Sequence, residues 1–191
     1  MSHPTRLLAP ESSLVVVDVQ EKLMPKIRNA ERITQNIRFL LDVASLVEVQ
    51  CVATEQYPKG LGPTIAALAV TFPEPRPSKV GFSCCAIESF VPELYRTQKK
   101  RIVLTGIETH VCVLNTALDL LAESFWVYLP IDAVGSRYAV DHETAIRRLE
   151  GAGVILTTTE TIAFEWLGGA NHPKFKDVSS LIQNRMQSLK D

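Results

Sequence analysis

The chain has 191 residues, 46% of them hydrophobic and 21% charged, with a net charge of −1. That length suits one domain over residues 1–191 with a full hydrophobic core, and the near-neutral balance offers nothing for a nucleic-acid partner. No apolar run reaches the roughly 20 residues needed to span a bilayer.

Residues 1–10 carry Pro4 and Pro10 and no hydrophobic stretch, so no secretory signal is read there. Cys51, Cys84, Cys85 and Cys112 show no C-x-x-C spacing, and the adjacent pair 84/85 would make a strained disulfide. A reduced, cytoplasmic protein is expected.

In chain order, short β-rich runs alternate with amphipathic helical segments. Strands are predicted at 14–18, 50–54, 102–105, 125–129 and 154–156. A further short one is placed at 72–76, weakened by its prolines. The runs LVVV, IVLT and FWVYL are nearly continuous in apolar or β-favouring residues, as parallel strands covered on both faces require. Helices are predicted at 30–49, 111–123, 141–152 and 173–189, the third stopped by Gly151 and Gly153. This alternation predicts an α/β fold: three αβα layers, Rossmann-like, around a mostly parallel sheet of about six strands.

Ligand sites in such sheets gather beyond the carboxyl ends of the strands. Asp18 ends the first strand, Lys79 lies in the loop PSKVGF, and Cys112 follows the turn after IVLTG. Each has an ordinary reading: a helix cap, an exposed loop lysine, a small buried hydrophobe. Converging on one crevice, they would form a nucleophile site. A thiol at a helix N-terminus is expected to titrate below the free-thiol value.

The motifs VVVDVQ, TEQYPKGLG at 54–62, SKVGFS, GIETHVCVLNTALDLL at 106–121, DAVGSR at 132–137, GAGVILTTTE at 151–160 and NHPKFKDVSSLI at 171–182 cover nearly the whole chain. With them the sequence resembles the isochorismatase-like cysteine hydrolase superfamily, which includes nicotinamidases, N-carbamoylsarcosine amidohydrolases and isochorismatases. Its nearest likeness is to the small isochorismatase-domain hydrolases.

The resemblance implies that Cys112 is the nucleophile and forms a thioester. Asp18 would be general base and then acid, and Lys79 would hold the thiolate and orient the carboxylate. It also implies a cis peptide at Ile107–Glu108, with the backbone N–H groups of Glu108 and Cys112 forming an oxyanion hole.

Metal-dependent nicotinamidases place an Asp and two His residues after the second strand. Here TEQYPKGLG has no histidine, and Glu55 alone makes a poor metal site, so no catalytic metal and no cofactor are expected. The substrate expected is a small molecule with an amide, ureido or ester bond. The assembly expected is a homo-oligomer, with no nucleic-acid or membrane partner.

Gln56, Tyr57 and Phe82 flank the reactive loops and are taken as pocket-lining. His110 is read as pointing away from Cys112 and His142 as a surface residue at a helix start. Cys84 and Cys85 are assigned to core packing or the pocket wall, and Trp126 and Trp166 to core or interface. Two other functions stay open: a non-catalytic oligomeric scaffold, and a redox sensor in which Cys112 is oxidised.

Overall fold

The computed structural model describes residues 3–188. Seven strands form one sheet: β1 Ser12–Val17, β2 Gln50–Gln56, β3 Ser78–Lys79, β4 Arg101–Ile107, β5 Trp126–Pro130, β6 Val134–Gly135 and β7 Ile155–Thr157. The order is β3-β2-β1-β4-β5-β7, with β6 pairing the end of β4, and every pairing in the sheet is parallel.

All six residues of β1 are buried, and they alternate between two cores. Leu14 and Val16 enter one cluster and Val15 and Val17 the other, because successive side chains of a strand point to opposite faces. In β4, Val103 and Ile107 belong to the first cluster and Ile102 and Leu104 to the second. A strand covered on both sides has no polar face to alternate with, hence the unbroken LVVV.

Among the described residues eight α-helices cover the sheet: α1 Ala30–Leu46, α2 Pro58–Leu61, α3 Ala66–Ala69, α4 Phe90–Arg96, α5 Leu114–Ala122, α6 Ala139–Ala152, α7 Thr159–Leu167 and α8 Phe175–Ser188. On one face α1 packs with α7 and α8; on the other, α5 packs with α6. The helix after β1 and the helix after β4 thus lie on opposite faces. The neighbouring strands β1 and β4 therefore form a topological switch point, where such folds open a crevice.

The α/β architecture agrees with the sequence-based expectation, and three elements differ. Residues 72–76 form no strand. Pro73, Pro75 and Pro77 have no N–H to give a ladder, and the third strand is the two-residue β3 directly after them, carrying Lys79. The seventh strand, β6, is too short for periodicity to reveal. The helix predicted from 111 starts later, because Thr109–Val113 form a π-helical turn before α5. The last predicted helix runs to 189, a position outside the described residues.

Candidate active site

Asp18 follows β1 with φ +52°, a left-handed conformation that turns the chain sharply at the strand end. Its carboxylate is fully buried and held from two sides. The Thr54 hydroxyl donates to Oδ1 at 2.9 Å, and Lys79 Nζ donates to Oδ2 at 2.6 Å. Lys79 also donates to Gln56 Oε1 at 2.7 Å. The order β3-β2-β1 brings these groups together, and the β2–β3 register pairs Gln56 directly with Lys79.

The third group arrives on β4. Gly106 pairs with Val17, the residue before Asp18, and has φ +106°. A Cβ there would lie 2.7 Å from the Val17 nitrogen and closer still to its carbonyl oxygen, so only glycine fits. The Ile107–Glu108 peptide bond is cis. The π-helical turn then carries Cys112, buried at 5% exposure.

Thr116 on α5 donates to the Cys112 carbonyl at 2.7 Å and accepts from the Cys84 N–H at 2.9 Å. It ties the Cys112 turn to the turn after β3. Cys84 Sγ lies 3.4 Å from Thr54 Oγ1, whose single hydrogen already goes to Asp18, so the Cys84 thiol is the donor.

Burial pushes the Cys112 thiol well above its ordinary range, and the Asp18 carboxylate adds to the shift, both by its charge and by hydrogen bonding to the protonated sulfur. Lys79 acts in the opposite direction and is outweighed. This corrects the expectation of a depressed thiol pKa. The helix end and lysine that would favour a thiolate are present, but desolvation and an adjacent carboxylate prevail. Cys112 therefore rests as a thiol beside Asp18.

The turn 107–111 is clasped from the β6–α6 segment. Glu108 Oε2 accepts from the Arg137 backbone N–H at 3.0 Å and from its Nε at 3.1 Å. His110 Nδ1 pairs with the Ser136 hydroxyl at 3.0 Å, and Thr109 Oγ1 with His142 Nδ1 at 3.0 Å. Both histidines are therefore supports of the turn. His142 is half-buried rather than a surface residue, and burial lowers its pKa.

A cleft of about 460 Å³ lies behind this clasp, lined by Arg28, Arg32, Ser136 and His142 among others. Its wall includes none of Asp18, Lys79 and Cys112, so this cleft and the Asp18–Lys79–Cys112 cluster are different places.

Of the three residues taken as pocket-lining, Gln56 is buried against Lys79, whereas Tyr57 and Phe82 are exposed around the loops after β2 and β3. Glu55 Oε1 accepts from the Thr64 N–H and hydroxyl, both at 2.8 Å, and pairs with Arg76 at 3.3 Å. Its carboxylate is thus taken up in fixing the β2–β3 connection. Among the described residues no group of three or more His, Cys, Asp and Glu side chains is arranged to hold a metal ion. The roles of Thr54 and Thr116 are invisible in sequence, where a single polar residue carries no signal.

Fold and cluster together define an α/β protein with a buried Asp–Lys pair and a cysteine at the switch point of a parallel sheet. The family model for the isochorismatase domain matches residues 12–161, and the chain belongs to that family, whose fold is a hydrolase fold. It is 38% identical over 179 residues to isochorismatase domain-containing protein 2A of Mus musculus, covering 93% of this chain and 85% of the relative. Among solved structures, the MAR1 ribonuclease from Caenorhabditis elegans superposes with a TM-score of 0.86 at 39% identity, covering 93% of this chain and 92% of that one. The YcaC gene product from Escherichia coli, described as an octameric hydrolase of unknown specificity, superposes with a TM-score of 0.83 at 25% identity, covering 98% of this chain and 99% of that one.

Proposed function

We propose that the protein is a cysteine hydrolase acting on a small carbonyl compound through an Asp18–Lys79–Cys112 triad. The observation that carries the reading is a fully buried Lys79–Asp18 pair facing a thiol that is held protonated. A protonated nucleophile needs a base in contact, and Asp18 is that base.

In the first step Cys112 Sγ forms a bond to the carbonyl carbon while its proton passes to Asp18. The carbonyl π electrons move to oxygen, where the N–H groups of Glu108 and Cys112 receive the negative charge. Collapse expels an amine or alcohol, which takes the proton from Asp18, and leaves a thioester on Cys112. Water then attacks the thioester, Asp18 again accepting the proton and returning it to the departing sulfur. Lys79 keeps its charge throughout; it offsets that of Asp18 and steadies the sulfur as it loses its proton.

No step passes through a metal or an organic cofactor. A cytoplasmic homo-oligomer is part of the same reading, supported by the assembly described for the E. coli protein. No helix among the described residues is long and apolar enough to cross a membrane.

The test is intact-protein mass spectrometry during incubation with a panel of small amides, ureides and esters, on the wild type and Asp18→Asn. An acyl adduct that maps to Cys112 in the wild type and fails to form in Asp18→Asn, which lacks the base for acylation, supports the reading. No adduct with any compound overturns it.

The name of the C. elegans neighbour makes RNA cleavage the second reading. The net charge of −1 weighs against it, because binding a polyanion draws on basic surface. RNA cleavage surviving Cys112→Ser would favour that second reading.

A further inference from the structure

The Lys79 ammonium has three N–H donors. One ends on Asp18 Oδ2 at 2.6 Å and another on Gln56 Oε1 at 2.7 Å. Two bonds from a tetrahedral nitrogen fix the direction of the third. Gln56 therefore bears on where Lys79 can act.

The Gln56 amide is itself locked. Its Nε2 donates to the Val80 carbonyl at 2.7 Å, and its backbone N–H donates to Gln20 Oε1 at 2.7 Å. Gln20 Nε2 in turn donates to the carbonyls of Gln56 at 3.0 Å and Gly62 at 2.6 Å. Reversing the Gln56 amide would set an NH₂ against an ammonium and one carbonyl oxygen against another.

A neutral amide is the group this place calls for. A carboxylate at position 56 would face the Val80 carbonyl and bring a second negative charge to an ammonium already neutralised by Asp18. An apolar side chain would leave the ammonium with one anchor. The charged and titratable groups around it are Asp18 after β1, Lys79 on β3, Cys84 in the following turn and Cys112 in the nucleophile turn. The neighbouring Glu55 is turned away toward Thr64 and Arg76.

We propose that Gln56 is a positioning residue of the cysteine-hydrolase site: with Gln20 behind it, it pins the Lys79 ammonium between two acceptors and keeps the third N–H for the reacting sulfur. This rests on the triad reading above. In this role Gln56 touches neither substrate nor sulfur; it acts through Lys79, by keeping its positive charge beside the sulfur when the proton leaves.

The experiment measures the rate of iodoacetamide alkylation at Cys112, by peptide mapping, across neutral and alkaline pH. The proteins are the wild type, Gln56→Met, Gln56→Glu and Lys79→Met, each checked for an intact thermal transition. Gln56→Met, similar in shape and without the amide, should react about tenfold more slowly at neutral pH, with its profile displaced upward by about one unit, since one unit is tenfold in thiolate fraction. Gln56→Glu should displace it at least as far, by adding an anion near the sulfur.

Because the thiol titrates above this range, the displacement reads as a rate about tenfold lower at each pH, whereas a purely structural role would only lower the melting temperature. Gln56→Met rates superimposable on wild type overturn the proposal. Lys79→Met separates the two readings. If it too leaves the profile in place, the triad reading fails. If it moves the profile and both Gln56 variants do not, only the role of Gln56 fails.

Discussion

Gly106 faces Val17 across the β1–β4 ladder so closely that a Cβ on it would sit 2.7 Å from the Val17 nitrogen and nearer still to its oxygen. This contact sets the separation between the strand end that carries Asp18 and the turn that carries Cys112. Gly106→Ala should therefore cost stability twice, through the clash and through a φ of +106° that L side chains rarely adopt. A loss of about 3 kcal/mol in urea unfolding is expected, the range for a named backbone conflict. A loss below about 1 kcal/mol would show that the two strands can part without harm.

The Lys79–Asp18 pair has no exposed side-chain surface, so each partner depends on the other for compensation. Asp18→Asn and Lys79→Met should each destabilise by about 3 kcal/mol, because each leaves an uncompensated buried charge. The double variant removes both charges and should recover about 2 kcal/mol relative to the sum. Strict additivity in urea unfolding would mean that the two groups do not rely on each other.

Thr116 supplies the one hydroxyl that serves both the Cys84 N–H and the Cys112 carbonyl. Thr116→Val keeps the shape and removes both bonds, leaving a buried N–H without its acceptor. A loss of about 2 kcal/mol is expected. The measurement is urea unfolding of the two proteins, and equal midpoints would sink the argument.

The sheet was legible because β1, β4 and β5 are buried on both faces and their composition has to say so. Asp18 and Cys112 were legible because each stands directly beyond such a strand. Lys79 was harder, since its strand is only two residues long and follows a run of prolines, so it reads as loop. What could not be read is the wiring between elements distant in sequence: Thr54 to Asp18, Gln56 to Lys79, Thr116 to Cys84. These bonds depend on strand order and register, which local patterns do not encode. The thiol's direction of shift was misread for the same reason. Its helix-end position is local, while the burial and the carboxylate that outweigh it come from β1 and the layers above the sheet.

The buried thiols also set how the fold responds to alkali. Burial, reinforced by Asp18, pushes Cys84 up to about 11, against an ordinary thiol value of 9.0. The folded state therefore holds a proton that the unfolded chain releases as pH rises past the ordinary value. Stability from this group is fully present below about pH 9 and is lost as pH climbs through its folded value near 11. Over that window the loss should run at about 1.4 kcal/mol per pH unit, and Cys51 and Cys112, both raised by burial, add to it with the same sign. Cys84→Ser keeps a donor for Thr54 but does not titrate in this range. Its unfolding free energy should fall more gently than wild type between neutral and alkaline pH, whatever the offset between the two curves. Parallel curves would mean that Cys84 ionises in the folded protein as readily as in the unfolded chain, and that its burial does not govern the alkaline limit.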